Sequence, residues 1–274
     1  MSDEYEQHID FGHHKVTDSH FVEIWESTKP NRIIVTVPHD GTPNYKWPDK
    51  LRRMGVRGGD PGVWLIAMDM MFEHPKRKRY SIQDSISVVR GTIPRGQVDF
   101  NRSWPIEKSY YKYQRSQSAL ENPRYISVYN HFHNNVARLI ERGIDTYGRS
   151  ECLLIDLHGF SEQPDYAPKC GYDLILGTGN RQTIFYHDVD MLMGSFFSRL
   201  DYTVFVPEDK PGKGHREDRY NADFITRGYA ERYQVNAIQL ETAHKFRDRK
   251  GGALIGPKLS RDLVRFFGQY FNGK

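Results

Sequence analysis

The sequence predicts an α/β fold of three layers, with a mixed, largely parallel central sheet and helices on both faces. Three observations predict it. Short β-branched runs alternate with longer helix-like segments over the whole length, a pattern that builds a parallel sheet through helical crossovers. Two of the runs, "RIIVTVPH" (32–39) and "CLLIDLHG" (152–159), are mostly apolar and read as buried strands. The 274 residues carry no internal repeat or low-complexity tract, and that length suffices for one large core. One domain over residues 1–274 is expected, with a polar N-terminal segment at 1–30 and a core at about 31–272.

The elements follow in order. After the strand at 32–39, "DPGVWLIAMDMMFEH" (60–74) reads as a helix, with Asp60 as N-cap and Pro61 at the first helical position. "ISVVRGTIPRGQVDFNR" (86–102) reads as two strands joined by a tight glycine-containing turn. Segment 123–148 carries a long amphipathic helix, with Tyr125, Val128, Tyr129, Phe132, Val136, Leu139 and Ile140 on one stripe. Strands are expected at 152–159, 172–178, 202–207 and 235–242, and helices at 187–200, within 221–233 and at 256–271. Open sheets of this kind form their sites beyond the carboxyl ends of the strands.

Composition narrows the function classes. Aromatic residues are plentiful, with 17 Tyr and 15 Phe, which argues against a solvating linker. The net charge is +4, and the one dense basic run is Lys76-Arg77-Lys78-Arg79. So short a run reads as a solvated loop, and no nucleic-acid partner is expected. Cys152 and Cys170 are too few for a disulfide framework or a zinc–thiolate site, which suits a reducing compartment. No apolar run approaches membrane-spanning length, and the start, "MSDEYEQHIDFGHHKV", lacks an apolar leader core. A cytoplasmic location without membrane contact is therefore expected.

Three strand ends carry ionisable residues that a core does not need: His39, His158 and Glu241. Each histidine could bond a neighbouring turn. Two in matching positions could instead converge on one metal ion, zinc or another divalent cation. Asp156 precedes His158 by two residues on the same strand face, where it could orient the imidazole or merely bond a loop. Glu241 could serve as a general base or be a surface carboxylate. In "VDFNRSW", Arg102 offers a planar fork for a substrate carboxylate and Asn101 a further donor, with Arg95 a second cation in the preceding turn. A plain ion pair of Arg102 with Asp99 or Glu107 is the alternative.

The motifs "VPHDG", "VDFNR", "LLIDLHG" and "IQLE" occur in the order and rough spacing of the N-formylglutamate amidohydrolase family. "YDLILGT" and "DFITRGYAERYQVNAIQLE" also resemble its segments, and the likeness spans roughly residues 33 to 270. That family is similar in fold to zinc carboxypeptidases and aspartoacylase-type deacylases. The resemblance implies a zinc-dependent amidohydrolase acting on a small N-acyl amino acid such as N-formyl-L-glutamate. It makes His39 and His158 zinc ligands, Glu241 the general base, and Asn101 and Arg102 the grip on a substrate carboxylate, with Arg95 as helper. A second substrate carboxylate would need another cation, for which Arg227 in "FITRGYAERY" is the expectation.

One departure concerns the third ligand. The related zinc enzymes take a glutamate three residues after the first histidine, and Thr42 stands there. Asp60, in the next loop, is the first choice for the missing carboxylate, with Asp40 and Asp69 behind it. Asp40 also replaces the serine usual in the family. A carboxypeptidase-like peptidase, another N-acyl amino-acid deacylase, and a non-catalytic binding protein on the same fold remain open readings at this point.

Overall fold

The computed structural model describes residues 13–19, 21–41, 52, 56–72, 81–104, 118–164, 167–206, 220–247 and 255–272. Thr42, the 76–79 basic run and Glu107 lie outside these described residues. Eight strands form one mixed sheet: β1 (His13–Ser19), β2 (Val22–Ser27), β3 (Ile33–Val37), β4 (Ile86–Gly91), β5 (Leu153–Phe160), β6 (Leu174–Gly177), β7 (Val204–Phe205) and β8 (Asn236–Ala243). Their order is β1-β2-β4-β3-β5-β8-β6-β7. The central strands β4, β3, β5 and β8 run parallel, and the pairs β1/β2, β2/β4 and β6/β8 are antiparallel.

Among the described residues five α-helices accompany the strands: α1 (Val63–Met71), α2 (Ile126–Tyr147), α3 (Val189–Ser198), α4 (Phe224–Tyr233) and α5 (Ile255–Asn272). They cover both faces, and β3 shows why. Ile33, Val35 and Val37 belong to one buried cluster with residues of α1, α3 and α5, whereas Ile34 belongs to the other, with α2 and α4. Alternate strand residues point to opposite faces, so a strand buried on both sides is apolar except where a side chain finds a partner, as Thr36 does in Asp156. The stripe Val128, Phe132, Val136, Leu139 and Ile140 packs α2 onto its face, as the helical spacing requires.

Four expectations change. Within 86–102 only β4 forms. Residues 92–102 make turns in which Gln97 N and Val98 N donate to Pro94 O at 2.8 and 3.2 Å, so the alternating apolar residues Val98 and Phe100 belong to no extended strand. Strand β7 shrinks to Val204–Phe205. The polar segment 1–30 contributes β1 and β2, whose Val22 and Ile24 are buried in the core. Helix α1 starts at Val63 behind a left-handed Gly62 (φ 85°), so Asp60 is not its N-cap. The Asp60 carboxylate faces two imidazoles instead. Cys152 is buried just before β5, and Cys170 is exposed.

The topology turns at β3, which has β4 on one side and β5 on the other. Crevices at such reversals, beyond the carboxyl ends of the strands, are where ligands bind. His39 follows β3 there, and His158 of β5 is registered directly against Glu241 of β8.

Candidate metal centre and its cavity

The two histidines arrive from neighbouring parallel strands with their ring centroids 4.9 Å apart. Asp60 reaches them from the loop before α1, its backbone N–H donating to His39 O at 2.8 Å. Asp60 Oδ2 lies 3.1 Å from His158 Nδ1 and 3.5 Å from His39 Nδ1. All three side chains are buried, and their ligating atoms lie within 4.8 Å of one another. Neither Asp40 nor Asp69 joins this group. The Asp40 carboxylate accepts from Arg90 Nε at 2.9 Å.

The far nitrogen of each ring is fixed by a second carboxylate. His39 Nε2 lies 2.8 Å from Asp99 Oδ1. Asp99 also accepts from Arg95 Nε at 3.0 Å, Arg52 Nη2 at 3.2 Å and Asn101 N at 3.1 Å. Burial opposes its charge, but Arg95, His39 and Arg102 hold its carboxyl well below the ordinary range. An ionised carboxylate only accepts, so His39 Nε2 carries a proton towards Asp99, and Nδ1 is the ring nitrogen turned to Asp60. His158 Nε2 lies 3.0 Å from Asp156 Oδ2, with Asn101 Nδ2 at 3.2 Å from the same nitrogen. Asp156 is itself anchored by the hydroxyls of Thr36 (2.7 Å) and Thr226 (3.3 Å).

This arrangement fits a cation. His39 Nδ1 is buried without a hydrogen-bond partner, 3.5 Å from the Asp60 carboxylate. A buried polar atom left without a partner beside a carboxylate is costly, and a cation between the two would satisfy both. Two imidazoles, a carboxylate and carboxylate-backed far nitrogens form a donor set suited to a divalent metal. Without an ion, burial opposes the charging of His158, but the Asp156 charge and hydrogen bond, aided by Asp60 and Glu241, raise its pKa well above the usual imidazole value.

Asp60, His158 and Glu241 line a cavity of about 700 Å³, well within the usual range for small-molecule sites. Glu241 is buried, and burial foremost raises its carboxyl pKa to about 7, with Asp60 and Asp156 adding to the rise while the His158 charge and Gln239 oppose it. Its Oε1 accepts from Gln239 Nε2 at 2.9 Å.

Arg95, Asn101 and Arg102 line the same cavity. Asn101 Oδ1 accepts from Ile225 N at 2.9 Å, docking the start of α4 on this turn. Arg102 Nη1 donates to Asn101 O at 2.6 Å and to the Asp223 carboxylate. Among the described residues its ion-pair partner is thus Asp223 rather than Asp99, and Glu107 lies outside them. Asp223 caps α4 through Phe224 N (3.0 Å), and its own N–H donates to Gln239 Oε1 at 2.9 Å. Gln239 therefore bridges Glu241 and the Arg102 partner. Arg227 is not on the cavity wall. Its guanidinium donates to Ala222 O, Gln182 Oε1 and Asn221 Oδ1 at 2.7, 2.7 and 3.1 Å. Those contacts tie it to the protein's own loops.

No protein-family model and no curated protein matches the chain. Solved structures do. An N-formylglutamate amidohydrolase from Ralstonia eutropha JMP134 superposes with a TM-score of 0.65 at 15% identity, over 93% of this chain and 98% of that one. A gene product from Agrobacterium tumefaciens gives 0.60 at 14% identity, over 93% and 96%. A metallo-carboxypeptidase from Burkholderia cenocepacia gives 0.46 at 10% identity, over 98% and 67%. At such identities the likeness to the first two speaks to the fold alone, the three-layer α/β architecture that the sequence predicts.

Proposed function

We propose that this chain is a mononuclear zinc amidohydrolase that cleaves the amide of a small N-acyl amino acid, with N-formyl-L-glutamate as the first substrate to test. The observation that carries the reading is the His39–Asp60–His158 set, whose Asp60 and His158 line one cavity with Glu241. The ordered motifs of the sequence and the name of the Ralstonia eutropha neighbour support the substrate class. Zinc, when bound by the two imidazoles and Asp60, supplies Lewis acidity that polarises an amide carbonyl and acidifies water.

The chain's own residues do the rest. Glu241 takes a proton from water on the oxygen that Gln239 leaves open. The water oxygen bonds to the carbonyl carbon, the C–N bond breaks, and Glu241 returns its proton to the leaving nitrogen. The products are a carboxylic acid and an amine. A carboxyl with its pKa near 7 suits both transfers. Arg102 and Asn101 hold the carboxylate of the amino-acid half, with Arg95 beside them. The test is elemental analysis together with assays on N-formyl and N-acetyl amino acids and dipeptides. One zinc per chain and fastest turnover of an N-formyl amino acid are expected. A zinc-loaded protein that cleaves none of the panel overturns the reading.

Asp223 sharpens the carboxylate grip into a prediction. It neutralises part of the Arg102 charge, so a substrate carboxylate competes with an internal one. Asp223→Asn keeps an equally good helix cap and removes the charge. We expect KM for carboxylate-bearing substrates to fall by up to about fivefold, roughly 1 kcal/mol, with kcat little changed. A rise in KM instead makes Asp223 an aligner of the guanidinium.

A further inference from the structure

We infer that Arg247 is a positioning residue that locks Asp60 into the metal-ligand set. The inference rests on the metal reading above but not on the substrate. Two of the three ligands come from the ends of core strands, whereas Asp60 comes from a loop that enters α1 through the left-handed Gly62. A loop carboxylate needs something to hold it against the sheet. Arg247, in the turn after β8, is placed to do so. Its Nη2 donates to Phe160 O at 2.8 Å, two residues beyond His158, and its Nη1 donates to Pro61 O at 3.2 Å, the residue next to Asp60. One planar fork thereby ties the loop of the third ligand to the strand of the second.

The surroundings are shaped for this fork. A Cβ on Gly159 would lie 2.4 Å from both Cζ and Nε of Arg247, and one on Gly62 would lie 2.5 Å from Arg247 O. Only the absence of a side chain at both positions lets the guanidinium and its backbone lie this close. Arg247 is 7% exposed and its Nε has no hydrogen-bond partner. Among the described residues no carboxylate forms an ion pair with it. A buried guanidinium paired only with backbone carbonyls carries a desolvation cost that a merely space-filling side chain would avoid. Burial lowers the Arg247 pKa from the ordinary guanidinium value, and the nearby negative charges of Asp60 and Glu241 oppose that fall. Its position beside the carboxylate it braces is thus electrostatically consistent as well as geometrically direct.

The test uses the full chain, stripped of metal and reloaded. Zinc affinity is read by competition with a chromophoric chelator, and coordination by the visible absorption of the Co²⁺-substituted protein. Arg247→Met, and Gly159→Ala, which displaces the guanidinium without touching a ligand, are each expected to weaken zinc binding about 10- to 100-fold and to change the Co²⁺ spectrum. Arg247→Lys, able to reach one carbonyl, should fall between Arg247→Met and wild type. Asp60→Ala should lose affinity too, and Arg247→Met added to it should cost little more, because both remove the same ligand. Wild-type affinity and spectrum in Arg247→Lys and Gly159→Ala overturn the inference, even if Arg247→Met does not fold. So do fully additive losses in the double variant. A wild-type chain that binds neither Zn²⁺ nor Co²⁺ overturns the metal reading and this inference together, whereas a chain that binds zinc but cleaves no amide leaves the inference standing.

Discussion

Glu241→Gln is expected to lower kcat by about 10²- to 10⁴-fold, the usual span for a general acid–base residue, with bound metal unchanged. Glu241 lies outside the His39–Asp60–His158 set, so its loss leaves the three ligands in place. Glutamine keeps the size of the side chain and a hydrogen bond to Gln239 while removing the base. The pH dependence gives an independent reading. Burial, Asp60 and Asp156 push the Glu241 pKa up to about 7 in the metal-free protein, and a bound cation would draw it down. Activity should therefore fall as pH drops through this pKa, because the base becomes protonated, and Glu241→Gln should remove that acid limb from any residual rate. The stability sign runs the other way. A carboxyl raised above its unfolded value favours the fold while protonated, and that contribution is lost as pH rises through about 7. Metal-free Glu241→Gln should then be more stable than metal-free wild type at pH 8, by something on the order of 1–3 kcal/mol. Full activity in the variant, with metal bound, removes Glu241 from the mechanism.

Which parts of this site were legible in the sequence follows from where each residue sits. His39, His158 and Glu241 were readable because each stands at the end of a continuous apolar run, and strand ends are where an open sheet gathers its chemistry. Asp156 was readable from the two-residue period that puts it on the His158 face. The same period applies to Gln239 and Glu241, so the Gln239 contact could have been found that way. Asp60 was less legible, since Asp-Pro before a helix looks the same whether it caps or ligates. The structure separates the two through the left-handed Gly62, which shifts the helix start past Asp60. Asp99 as the partner of His39 was hidden because 92–102 reads as a strand, and only its turns fold Asp99 back onto the imidazole. Asp223 and Arg247 had no local signal at all. Their partners lie at Arg102, Pro61 and Phe160, far away in sequence.

Removing the metal, or either imidazole, is expected to have the broadest effect. Dialysis against a strong chelator should reduce amide hydrolysis to background, and one equivalent of zinc should restore it. His39→Ala and His158→Ala should each lose detectable zinc at micromolar concentrations. Asp60, Asp99, Asp156 and Glu241 are four buried carboxyl groups around two imidazoles, and His39 Nδ1 has no hydrogen-bond partner. A divalent ion would bond to both imidazoles and Asp60 at once, so its binding energy would also become folding energy. At a free concentration 1,000 times its Kd, such an ion adds about 4 kcal/mol to stability, an increase in Tm that calorimetry would resolve easily. Asp99→Asn should act through the same set more mildly. It leaves every ligand in place but replaces the acceptor that keeps the proton on His39 Nε2, so zinc affinity should fall about 10- to 100-fold rather than vanish. Equal loss in Asp99→Asn and His39→Ala would mean that Asp99 itself reaches the ion. No loss in either would mean that His39 is held by its turn and ligates nothing.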